Sequence, residues 1–175
     1  MKQKLPAWAR LAIIAVVAGL LLGFINELTA PTIAQQDVVA AEAARQAVLP
    51  AAQSFEQLDI AADAPVGYCY AGKADDAVIG HVVMVTAKGY GGEIEVVVGV
   101  DTAGVITGID VGGSNFSETV GLGAKTKDPE FTGQFVGLQP PLTLKQNVDS
   151  VSGASISSGA VVGAVNTACE YIAGL

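Results

Sequence analysis

Basic residues are scarce in this chain. Nine Lys and Arg stand against 17 Asp and Glu, for a formal net charge of -8. Nucleic acid therefore has no basic surface to meet and is excluded as a partner. Histidine is scarcer still. His81 stands alone inside a β-branched run and reads as an ordinary strand residue, and the scattered carboxylates have no metal-ligand spacing, so no metal site is expected. Cysteine occurs twice, at Cys69 and Cys169, with no Cys-x-x-Cys pair, which excludes a zinc ribbon or a thioredoxin-like site. That spacing leaves two readings open: a disulfide in an oxidising compartment, or two small core residues. No nucleophile-and-base set and no acid/base pair is visible, so no catalytic residue is assigned.

Charge is also unevenly placed. Lys2, Lys4 and Arg10 against Glu27 give the first 29 residues a net of +2, which leaves -10 for the rest of a chain whose total is -8. Between the two lies an uncharged run from Leu11 to Asn26, aliphatic throughout. With its flanks it reaches the roughly 20 residues needed to span a bilayer. Trp8 and Arg10 stand where an interfacial aromatic and a snorkelling cation belong. The competing reading is a cleavable signal peptide ending at Leu28-Thr29-Ala30. Pro31 directly after that point and the length of the apolar run favour a retained helix. The basic end predicts a cytoplasmic N-terminus and an extracytoplasmic body.

Residues 31–57 are Ala-rich. Pro31 suits a helix start, and Val38, Glu42, Arg45 and Val48 have helical spacing, so a connecting helix is expected up to about Gln57, interrupted at Pro50. Short β-branched runs follow at 67–70, 78–87, 93–100 and 105–112, separated by turn residues. They predict an antiparallel meander, with the Asp101–Gly104 turn closing a hairpin. Two Gly-rich loops interrupt it. Lys88-Gly89-Tyr90-Gly91-Gly92 lets the backbone come close to a flat ligand, with Tyr90 able to stack or hydrogen-bond. The stretch 114–125 joins Glu118 and Thr119 to Gly121-Leu122-Gly123. Its Gly-Leu-Gly-Ala-Lys-Thr portion lacks the upstream glycine spacing of a phosphate loop, and that motif is rejected. Gly121 and Gly123 are read as surface-loop positions, replaceable without harm to the core.

The most informative stretch is DSVSGASISS, from Asp149 to Ser158. Gly153 and Ala154 carry almost no side chain, while Ser152, Ser155, Ser157 and Ser158 supply hydroxyls. Downstream, Val161, Val165, Ala168 and Ile172 share one helical face, with Val162 and Cys169 beside it. The serines thus sit at a helix N-terminus, where free N–H groups and the dipole favour an anion such as phosphate. Simple capping is the plainer reading of any one serine. The whole order D-x-x-S-G-A-S resembles the acceptor motif of the FMN-binding domain family, and the ordered K-G-Y-G-G and E-T-x-G-L-G loops recur in the same family.

That resemblance covers about Pro31 to the C-terminus, and within the family the chain looks most like the G subunit of the Rnf-type ion-translocating ferredoxin:NAD oxidoreductase. It implies an α+β chain: an N-terminal transmembrane segment (1–30), a connecting helix (31–57) and an extracytoplasmic antiparallel-sheet FMN-binding domain with flanking helices (58–175). It further implies FMN joined to Ser155 by a phosphoester, in a site completed by Ser152, Gly153, Ala154, Glu118, Thr119, Gly121, Leu122, Gly123 and Tyr90. This chain has Ser at the acceptor position where Thr is commoner, which keeps the hydroxyl but loses the methyl that stiffens χ1. Val120 stands where the family usually has proline. The implied role is an electron carrier within a translocase of the inner (cytoplasmic) membrane, without a complete catalytic site of its own. Its implied partners are the other membrane and redox subunits, the lipid bilayer and a flavin transferase. The alternatives are a component like the C subunit of a sodium-translocating NADH:quinone reductase, a stand-alone membrane-anchored flavoprotein serving an extracytoplasmic reductase, and an anchor with an unmodified Ser155.

Overall fold

The computed structural model describes residues 6–175; Lys2 and Lys4, part of the basic end, lie outside them. The chain divides into two compact units, Met1–Ala41 and Glu42–Leu175. Helix α1 runs Ala7–Val48 with Pro31 in its interior. Alanine and leucine carry little helix penalty, and the proline removes only one ladder bond from a long helix. The connecting helix therefore continues from the apolar segment without a break at Pro31. Its large apolar side chains between Leu11 and Leu28 are exposed. It is long and apolar enough to cross a membrane.

Five strands follow: β1 Ser54–Leu58, β2 Tyr68–Ala74, β3 Ala77–Lys88, β4 Glu93–Asp101 and β5 Ile106–Gly112. They pair antiparallel in chain order, which is the expected meander. Its turns have visible causes. Asp75 and Asp76 both take positive φ in the two-residue link between Ala74 and Ala77, the backbone a tight hairpin needs. At the next hairpin Asp101 Oδ1 accepts the N–H groups of Ala103 and Val105 at 2.8 and 2.9 Å.

One expected boundary is corrected. The connecting helix stops at Val48, and Ser54–Leu58 is an edge strand paired with Leu58 opposite Cys69 and Ser54 opposite Lys73. Leu49 and Ala52 are buried in the intervening turn, so the chain leaves the helix to put them under the sheet.

Beyond β5 come a 3-10 turn (Gly123–Lys127), the single turn α2 (Pro129–Thr132), a second 3-10 turn (Gly133–Phe135) and the long helix α3 (Ser155–Ala173). α3 packs across β3 and β4. Val161, Val162, Val165, Ala168 and Cys169 bury against Val83, Val85, Ile94, Val96 and Val98 to form the main core. Complete burial of each valine contributes roughly 1.5–3 kcal/mol. Cys69 and Cys169 are both free thiols in this core, and burial pushes each up to about 11.

A smaller core lies on the opposite face of the sheet, where Val48, Leu49 and Ala52 cover Val82 and Val97. There the last turn of α1 rests directly on backbone. Gly99 and Gly108 are partners in the β4–β5 register, and a Cβ on either would run into Val48. The Val48 carbonyl also accepts the Thr107 hydroxyl. Alanine at Gly99 or Gly108 should therefore cost about 1–3 kcal/mol through overpacking. Alanine at Gly163, inside α3 with open space around it, should add about 0.5–1 kcal/mol. Urea unfolding of the three variants measures both signs.

Candidate functional site

Three segments meet at the end of the sheet where α3 begins. The β3–β4 turn contributes Tyr90. The loop after β5 contributes Glu118, Thr119, Leu122 and Gly123. The entry to α3 contributes Gly153 through Ser157. Together they line an open cleft of about 440 Å³. Eight of the ten residues expected from the sequence thus come together. Gly121 and Ser152 do not line it: Gly121 has nothing within 4 Å of where its Cβ would be, and Ser152 lines a separate, smaller pocket with Lys125 and Asp128.

Of the five serines between Asp149 and Ser158, Ser150 is half-buried beside the smaller pocket, and the other four divide by environment. Ser157 and Ser158 are buried and occupied, since Ser157 donates to Glu118 Oε2 at 2.9 Å and Ser158 Oγ accepts the Val151 N–H at 3.0 Å. Ser152 is exposed but faces the other pocket. Ser155 alone is both exposed and in the wall of the cleft. It is the first residue of α3, whose N-cap is Ala154 with no side-chain cap. The ladder starts with Ser158 N–H to the Ala154 carbonyl at 2.9 Å. The N–H groups of Ser155, Ile156 and Ser157 precede it and point out of the helix end, the arrangement that suits a phosphate.

Around this polar end the wall is apolar and open. Leu122, Ile156 and Tyr90 are 44%, 61% and 74% exposed. Gly153 has φ +76, and a Cβ there would come within 3.0 Å of Leu122 Cδ2. An uncapped helix end beside a free hydroxyl and an apolar wall fits a phosphate-bearing ligand with a flat ring. The residues present therefore fit FMN.

Below the wall, Glu118 ties the three segments together. It is 8% exposed. Its Oε1 accepts the Gly91 N–H at 3.0 Å and its Oε2 accepts the Ser157 hydroxyl. Ser117 Oγ donates to the Gly91 carbonyl at 3.1 Å and reinforces the same junction. The glycines around Glu118 are there for packing: a Cβ at Gly89 would strike Oε1, and one at Gly123 would stand 2.9 Å from the Glu118 Cδ and 3.0 Å from Ser157 Oγ. Gly123 is buried, so it is not the surface-loop position that the sequence suggested could be changed without harm to the core. Thr126, within the rejected phosphate-loop stretch, is buried and donates to the Gly123 carbonyl at 2.7 Å, which holds that stretch as a 3-10 turn.

Two lining residues escaped the sequence reading, Ile156 and Ser157. Ser157 carried a usable signal. It falls on the same stripe as Val161, Val165 and Ala168, so its hydroxyl had to be buried and needed a partner.

Residues 89–170, which include all three segments, match the FMN-binding domain family. This is therefore a flavin mononucleotide-binding class of domain. Across most of the chain the likeness is narrower. It is 38% identical to the G subunit of the ion-translocating oxidoreductase complex of Methanosarcina acetivorans, over 93% of this chain and 90% of that one. It is 34% identical to the G subunit of the Na(+)-translocating ferredoxin:NAD(+) oxidoreductase complex of Acetobacterium woodii, over 91% and 87%. A third relative, the G subunit of the proton-translocating ferredoxin:NAD(+) oxidoreductase complex of Clostridium ljungdahlii, is 30% identical over 93% and 88%. The chain belongs to the G-subunit family of ion-translocating oxidoreductase complexes. A solved structure of the C subunit of the Na(+)-translocating NADH-quinone reductase from Parabacteroides distasonis is 23% identical, covers 60% of each chain and has a TM-score of 0.48.

The two loop glycines should separate on substitution. Gly123→Val should break the Glu118–Ser157 contact and lower domain stability by about 1–3 kcal/mol. Gly121→Val, at φ +82 with open space, should cost only backbone strain of order 1–2 kcal/mol. Thermal unfolding together with amide exchange at Gly91 distinguishes them, because only the first should expose that amide.

Proposed function

We propose that this chain is the FMN-bearing electron-transfer subunit of an ion-translocating oxidoreductase complex, with FMN held at Ser155 by a phosphoester. The observation that carries the assignment is the sorting of the serines, with Ser155 the exposed hydroxyl in the cleft while Ser157 and Ser158 are buried in bonds of their own. When bound, FMN supplies the redox chemistry, and the protein's part is to place and tune it. Ser155 is the tether. The N–H groups at the start of α3 face the phosphate, whose remaining negative charge suits the positive end of the helix dipole. Leu122, Ile156 and Tyr90 offer the ring an apolar wall, with Thr119, Gly123, Gly153 and Ala154 completing the lining. Gly121 and Ser152 act, in this reading, as motif residues that shape the two turns.

The serine hydroxyl has no activating base among its bonds, so attachment falls to a flavin transferase. A covalent bond also keeps the cofactor from being lost on the outer side of a membrane. α1 supplies the anchor, with the basic end in the cytoplasm and the sheet domain outside. The remaining membrane and redox subunits deliver and remove electrons, ferredoxin and NAD being the overall couple named for two of the relatives.

Two measurements test this. In cells that make a flavin transferase, Ser155→Ala should lose covalent flavin, Ser155→Thr should retain it, and Ser152→Ala should at most reduce it. Peptide mass mapping that found the flavin on Ser152, Ser157 or Ser158 would show the acceptor to be misassigned. For topology, cysteine placed at the exposed Asp75 should react in intact cells with a reagent that cannot cross membranes. The native thiols give little background, being buried with pKa values near 11. Labelling of that cysteine only after lysis would reverse the orientation.

A further inference from the structure

We propose that Glu118 is a positioning residue rather than a flavin ligand, and that it sets both the shape and the fixed charge of the cleft from inside its wall. This rests on the reading of Ser155 as the flavin-bearing residue. A carboxylate beside a cofactor would ordinarily be taken for a direct contact. Here each oxygen already accepts a bond from within the chain, one from the Gly91 N–H at 3.0 Å and the other from the Ser157 hydroxyl at 2.9 Å. Two oxygens that both accept show the pattern of an ionised carboxylate. The side chain is 8% exposed, and Gly89 and Gly123 close it in at positions where a Cβ would strike it.

Its partners explain what it holds. Gly91 follows Tyr90, so one bond fixes the turn that presents the ring of Tyr90. Ser157 is two residues beyond Ser155, so the other bond fixes the first turn of α3 that presents the acceptor hydroxyl. These segments are far apart in sequence, 27 residues on one side of Glu118 and 39 on the other. Both bonds join groups of the chain itself, so the cleft is formed before any flavin arrives. The same buried charge has an electrostatic consequence. Reduction places electrons on the ring, and wherever fewer protons than electrons are taken up, a nearby carboxylate opposes the change and lowers the midpoint potential.

Glu118→Gln separates charge from shape. The amide oxygen can keep the Gly91 N–H, and its NH2 can donate to Ser157 Oγ, whose hydroxyl then accepts. In the full-length chain, purified from cells that also make a flavin transferase, this variant should load flavin as the wild type does. Its midpoint potential, titrated with dithionite, should shift to more positive values. Glu118→Ala leaves both partners unpaired and should lower flavin on Ser155 by about tenfold, as measured by intact mass. In a Ser155→Ala background, which carries no flavin, Glu118→Ala should speed amide exchange at Gly91 by about tenfold or more. A wild-type potential in a loaded Glu118→Gln chain would overturn the charge role. Wild-type loading and Gly91 protection in the alanine variants would overturn the positioning role. Absence of flavin from Ser155 in the wild type removes the underlying reading instead, and the exchange comparison, made without flavin, still decides whether Glu118 holds the cleft together.

Discussion

The packing of α3 on the sheet is the constraint from which the rest follows. Val161, Val165 and Ala168 are fully buried against the valine and isoleucine side chains of β3 and β4. That contact fixes the helix in translation and in rotation about its own axis. Rotation decides which serine faces what, because successive residues on a helix differ by about 100°. With Val161 and Val165 inward, Ser157 must also turn inward, and Ser155 must turn away. Which hydroxyl faces the cleft is thus set by hydrophobic side chains buried in the core.

The second core does comparable work on the opposite face. Two glycines in register, Gly99 and Gly108, form a notch that receives the backbone of Val48. Leu49 and Ala52 then seal Val82 and Val97. The sheet is therefore covered on both faces in its middle, which is why β4 reads as a nearly continuous apolar run rather than an alternating one. Arg45 lies over the Tyr70 ring at 4.4 Å, and burial pushes the neighbouring Tyr68 up to about 12. Since that is above the ordinary tyrosine value, the neutral phenol stabilises the fold up to about pH 10, and the contribution is lost between pH 10 and 12.

Much of this was legible in the sequence, for identifiable reasons. The β-branched runs and their Asp- and Gly-containing turns are local signals, and the four strands they indicate are present in the expected order. The α3 stripe is equally local. β1 was not legible, because SFEQL has neither strong alternation nor β-branched residues; it is a strand through its ladder with β2. The end of α1 at Val48 was hidden for the same reason, since the burial of Leu49 and Ala52 depends on a sheet that forms later in the chain. In the site, the resemblance named loops that the structure brings to one cleft, but it could not tell which glycines make room for another side chain. Gly123 and Gly89 leave room for Glu118, a contact across long sequence separations that no local pattern records.

The meander has a consequence for the order of events in biogenesis. Each strand pairs with the one made just before it, so the sheet assembles through local hairpins. The helix that closes the core, and with it the Ser155 hydroxyl, comes after every strand. Until α3 docks, Ser157 has no carboxylate to meet, Glu118 is tied to the Gly91 turn alone, and Ser155 has no fixed surroundings. Any enzyme that recognises the assembled cleft rather than the bare peptide must therefore act on a finished domain. Recognition of that kind would double as a check that folding is complete.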